Sequence, residues 1–102
     1  MSHYVYFIQQ VGTGDSPVKI GYSKDPIERL RTLQTANHKK LKICFSLPFE
    51  TECEARRVER VMHSLASKKC RKLNGEWFII YMSWKKFIAQ AMKIHDSINP
   101  SI

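Results

Sequence analysis

The sequence predicts an α+β fold, a small central antiparallel β-sheet of about three strands flanked by helices. Three observations predict it. Residues 4–11 and 18–22 are aromatic and β-branched runs separated by a loop bearing glycine and proline. Leu41, Ile43, Phe45 and Leu47 alternate with Lys42, Cys44 and Ser46, the period of a half-buried strand. Asp25-Pro26-Ile27-Glu28 and Thr51-Glu52-Cys53-Glu54 both carry the signature of a helix N-terminus.

In chain order, the first strand has apolar side chains on both faces, with Tyr4, Tyr6 and Ile8 on one and Val5 and Phe7 on the other, so it belongs in the middle of the sheet. With residues 18–22 it forms a β-hairpin over roughly residues 3–22, joined through the loop at 12–17. The first helix starts with Asp25 as N-cap, Pro26 at the first helical position and Glu28 closing a capping box. It runs to about Thr35 with Ile27, Leu30 and Leu33 as its buried stripe, which leaves Arg29 off the core side and free to face a cleft. The third strand ends at Pro48. The second helix, about 52–67, buries Ala55, Val58, Met62 and Leu65. The basic run at 67–72 is a solvated loop, Asn74-Gly75 a turn, and 76–80 a further short strand or extended segment. Trp84, Phe87, Ile88, Ala91 and Ile94 mark a final amphipathic helix at about 83–96, before a frayed tail. No repeat or low-complexity tract interrupts the pattern, and 102 residues with 43% apolar content make one domain with its core in 3–80.

The 17 Lys+Arg outnumber the 9 Asp+Glu, giving a formal charge of +8 that favours an anionic partner, nucleic acid first. Cys44, Cys53 and Cys70 are widely spaced and form no C-x-x-C pair, and the spacing of structural zinc motifs is missing. The first ten residues lack a signal-peptide pattern, and no apolar run approaches the roughly 20 residues of a membrane span. The expectation is a cytoplasmic protein with reduced thiols, no membrane association and no small-molecule cofactor.

Phosphodiester hydrolysis needs a group that activates or orients water, cationic charge for the transition state, and a carboxylate for a divalent metal. Tyr6 and Tyr22 are candidates for the first, Lys19 and Arg29 for the second and Glu59 for the third. His63 shares the face of Glu59, because a step of four residues nearly completes a helical turn. Each has a plainer alternative: strand aromatics for the tyrosines, a solvated strand charge for Lys19, ion pairs of Arg29 with Asp25 or Glu28 and of Glu59 with Arg56 or Arg60, and a half-buried histidine for His63.

The order Val5-Tyr6-Phe7-Ile8, Lys19-Ile20-Gly21-Tyr22-Ser23, Asp25 to Leu30 with Arg29, Ala55 to His63 with Glu59, and Gly75-Glu76-Trp77-Phe78 resembles the GIY-YIG nuclease superfamily, in particular its small T5orf172 or Mug113-like phage and bacterial branch. The resemblance spans residues 4–80. It implies that Tyr6 is the base or water-orienting tyrosine, that Arg29 contacts the scissile phosphate, and that Glu59 alone holds a weakly bound Mg²⁺ or Mn²⁺. His63 would serve as acid, base or water holder and Lys19 as a phosphate ligand or proton carrier. Glu76-Trp77-Phe78 is expected to be structural, and Gly21 to permit a close approach of chain or substrate. Lys19, Tyr22, Lys24, Arg29, Arg31 and Arg56 are expected to meet nucleic acid, DNA in the first instance. The chain departs from the superfamily pattern in carrying Tyr4 for the glycine of GIY and Lys19 for the first tyrosine of YIG. The implied function is a one-metal DNA endonuclease; the alternative is a weakly active or inactive module of the same fold that binds nucleic acid or a protein through its basic face.

Overall fold

A computed structural model describes residues 2–11, 17–73, 75–80 and 82–98. Strands β1 (His3–Gln10) and β2 (Val18–Ser23) are followed by α1 (Pro26–Thr35), β3 (Leu41–Phe49), α2 (Glu52–Lys69), β4 (Arg71–Lys72), β5 (Trp77–Ile79) and α3 (Trp84–Ile98). Residues 12–16 of the expected loop at 12–17, the Asn74 half of the Asn74-Gly75 turn and the tail at 99–102 lie outside the described residues. The fold is α+β, an antiparallel sheet with helices on both faces, and among the described residues the sheet has five strands in the order β3-β1-β2-β5-β4. The basic run read as a loop supplies the extra edge: Arg71 and Lys72 pair with Ile79 and Phe78 while their own side chains stay exposed, so composition gave no sign of the pairing. No described helix is long and apolar enough to cross a membrane.

Alternation along β1 divides the core in two. Val5 and Phe7, with Val18 and Ile20 of β2, pack under Ala55, Val58, Met62 and Leu65 of α2 and Phe87 and Ala91 of α3. Tyr6 and Ile8 face the other way and pack with Leu41, Leu30 and Leu33 beneath α1. A bulge between Phe7 and Ile8 pairs those residues with Phe45 and Ile43, so Cys44 is the extra residue of β3. The strict alternation expected there fails for that reason: Leu41 and Ile43 serve the α1 side, Phe45 and Leu47 the other. β3 also continues through Pro48, opposite Tyr4, to Phe49. An edge strand tolerates a proline because its outward amide has no ladder bond to lose.

The starts of α1 and α2 are capped, by Asp25 on the Glu28 amide (3.1 Å) and by Thr51 on the Glu54 amide (3.1 Å). The capping box at α1 is only half made. The Asp25 amide donates to Ser23 Oγ at 2.9 Å, and the Glu28 carboxylate pairs with Arg31 instead. The stripe of α1 is Pro26, Leu30 and Leu33, whereas Ile27 is 61% exposed. Likewise Ile94, expected on the buried face of α3, is exposed.

Candidate active site

Gly21 lies directly opposite Tyr6 in the β1–β2 ladder, and the tyrosine ring crosses the space that a residue-21 side chain would fill. The close approach expected at Gly21 is therefore made by Tyr6 itself. The residue is buried, and burial raises its phenol pKa above the ordinary value of 10.0, with Arg29 pulling it back and Glu76 and Glu59 adding to the rise. An ordinary phenol is already neutral at neutral pH, and this shift disfavours the phenolate further.

Arg29 comes from α1. At about 100° per residue it lies roughly 60° from Pro26, at the border of the true buried stripe, which brings its guanidinium to the Tyr6 hydroxyl while the side chain stays open to solvent. Its freedom to act thus follows from a different stripe than the one the sequence predicts. Glu28, its nearest candidate partner, is taken by Arg31 at 3.2 Å.

β5 covers β2 only at Val18 and Lys19, and past the Ile20 amide, which donates to the Glu76 carbonyl at 3.2 Å, the edge of β2 is open to α2. His63 Nε2 donates to the Ile20 carbonyl there, at 2.7 Å. Glu59 stands one turn earlier on the same face of α2. Its carboxyl is half-buried and its pKa is raised, by burial first and then by the neighbouring Glu76, with His63, Arg56 and Lys19 opposing. Ligand atoms of Glu59, His63 and Glu76 lie within 4.8 Å of one another, a span that one divalent cation bonded at about 2.0–2.6 Å to each could bridge. Arg56 pairs with Glu52 (3.0 Å), so the alternative of a Glu59–Arg56 surface bridge is not the arrangement found.

The sequence-predicted residues Tyr6, Lys19, Arg29, Glu59 and His63 therefore converge, at an edge of the sheet rather than on one face. α1 and α2 cover opposite faces, and each reaches toward the stretch of β2 that β5 leaves uncovered. Lys19 is almost fully buried, 2.9 Å from Glu76 Oε2, with its ammonium 5.9 Å from the Trp77 ring centre, so it is not the solvated charge of its plainer reading. Tyr22 is hydrogen-bonded to His3 Nδ1 (2.7 Å) and lies under the Arg56 guanidinium at 4.4 Å. Lys24 and Arg31 are exposed beside α1. Further positive charge sits on the far side of α2: Arg57, Arg60 and Lys68 border a cavity of about 320 Å³ between α2 and α3.

Glu76 is the site residue that sequence reasoning missed. Trp77 and Phe78 are indeed packed in the two core clusters, but the acid before them turns into the site. The only local signal was a charged residue set between a turn glycine and two aromatics; its distance of 17 positions from Glu59 concealed the pairing.

The described residues form a small α+β domain, a five-stranded antiparallel sheet with a cluster of two carboxylates and an imidazole at an inner strand's free edge. The chain belongs to the T5orf172 domain family, whose model matches residues 3–95. That family is associated with nuclease-like domains and points to a role on nucleic acid. No match is found among curated proteins or among solved structures.

Proposed function

We propose that the chain is a divalent-metal-dependent endonuclease of the GIY-YIG type that hydrolyses phosphodiester bonds in DNA. The observation that carries this reading is the convergence of Tyr6, Arg29 and Glu59, from three separate elements, at the open edge of β2. The donor chemistry fits a hard cation, with Glu59 as an oxygen ligand and Glu76 and His63 in reach of the same point. A bound Mg²⁺ or Mn²⁺ would polarise the phosphate and stabilise the charge that develops on it.

The protein's own groups divide the remaining work. Arg29, exposed and held by no acidic neighbour among the described residues, binds non-bridging phosphate oxygens and strengthens that contact as their charge grows. Tyr6, whose phenol burial holds still more firmly in the neutral form, orients the attacking water through its hydroxyl rather than resting as a phenolate base. Lys19, held by Glu76, supplies a fixed positive charge beneath the phosphate in place of the second-motif tyrosine. Lys24, Arg31, Tyr22 and Arg56 flank the edge and hold the adjoining backbone of the nucleic acid.

Plasmid nicking with Mg²⁺ or Mn²⁺, with Glu59→Ala alongside, tests this. The wild type should nick and the variant should not. The Lys19–Glu76 ion pair favours the second reading, a binding module, because it occupies the cation that replaces a catalytic tyrosine; absence of nicking by the wild type with any divalent metal would select that reading.

A further inference from the structure

The metal site deserves a fuller ligand set than a single carboxylate. We infer that Glu59, His63 and Glu76 together hold one divalent ion, an imidazole-plus-two-carboxylate site that selects a transition-metal ion such as Mn²⁺ over Mg²⁺. This rests on the nuclease reading for its purpose, but not for its geometry.

Two observations carry it. The three ligand atoms lie within 4.8 Å of one another although they come from α2 and from the segment before β5, so the fold brings two carboxylates together that repel unless a cation lies between them. Lys19 answers only part of that charge, since it engages Glu76 through Oε2 and leaves Oε1 available. The second observation is the orientation of His63. Its Nε2–H is spent on the Ile20 carbonyl at 2.7 Å, which fixes the ring and leaves Nδ1 as the nitrogen open to a metal. A ring nitrogen bonded to a backbone carbonyl, with the other left to bind, is the usual support of a metal-bound histidine. A nitrogen donor raises affinity along the first transition series and does little for Mg²⁺, which prefers oxygen and its own waters.

The test is Mn²⁺ and Mg²⁺ binding to the full chain without DNA, by loss of the free Mn²⁺ paramagnetic signal and by competition. The wild type should bind Mn²⁺ more tightly than Mg²⁺. Glu76→Gln and His63→Asn should each weaken Mn²⁺ on the order of tenfold or more, at least the loss seen when a supporting contact is removed, and His63→Asn should also narrow the gap between the ions. Because Glu76→Gln strands a buried lysine, the double variant Lys19→Met/Glu76→Gln is measured beside it and should show the same weakening when compared with Lys19→Met. Wild-type Mn²⁺ affinity in the Glu76 and His63 variants overturns the three-ligand site, whether or not the protein nicks DNA. Failure to nick with these affinities as expected would overturn the nuclease reading and leave the site standing.

Discussion

Tyr6 and Gly21 occupy one space: a β-carbon on residue 21 would collide with the tyrosine's hydroxyl end, closer than real side chains approach. The glycine is needed for this clearance and not for its backbone, because among the described residues only Gly75 (φ 61°) has a positive φ. Gly21→Ala should therefore fold with the ring displaced, costing about 1–3 kcal/mol as overpacking does. Urea denaturation measures the loss, and nicking should fall with it, because the hydroxyl leaves Arg29.

Arg29→Ala should cost on the order of 3 kcal/mol in transition-state stabilisation, as removal of a donor to developing charge does. That is about a hundredfold in rate. Stability should barely change, since the side chain is exposed. Tyr6→Phe keeps the buried ring and deletes the hydroxyl, so single-turnover cleavage should slow while DNA affinity holds. An unchanged rate in both variants would remove these residues from the chemistry.

Glu59 makes stability depend on pH in a direction opposite to that of most carboxylates. Its folded pKa lies above the unfolded reference of 4.5, so the folded state holds the proton more tightly. The penalty is absent below the unfolded value, grows as pH rises through the window between the two, and is complete above the folded value. Glu59→Gln should consequently melt higher than the wild type at pH 7 in chelator, with the difference vanishing near pH 3. The same substitution should abolish metal-dependent cleavage and leave DNA binding intact or slightly stronger.

DNA affinity should fall steeply with salt, because a chain of formal charge +8 binding through phosphates releases counterions. Fluorescence anisotropy between about 50 and 200 mM salt measures the slope. Arg31→Ala should reduce the slope modestly, since Arg31 is exposed and only loosely engaged with Glu28. Affinity independent of ionic strength would count against binding through the phosphates.

The sequence by itself determined what local chemistry can specify. The hairpin follows from β-branched and aromatic runs, and the starts of α1 and α2 follow from Asp25 and Thr51, whose side chains satisfy free amides within a single turn. The order of its motifs also points to Tyr6, Arg29 and Glu59. Only the tertiary structure decided what depends on residues distant in the chain. The bulge at Cys44 that turns Ile43 and Phe45 to opposite faces is a matter of register with β1, and the pairing of Arg71-Lys72 exists because β5 offers a partner. Ile27 is exposed because α1 docks through Pro26, Leu30 and Leu33, an orientation fixed by Tyr6 and Ile8 on a strand 20 positions away. Glu76 became a site residue for the same reason: no periodicity couples it to Glu59, and the short pairing of β5 with β2 is what carries its carboxylate to the edge where α2 presents the other ligands.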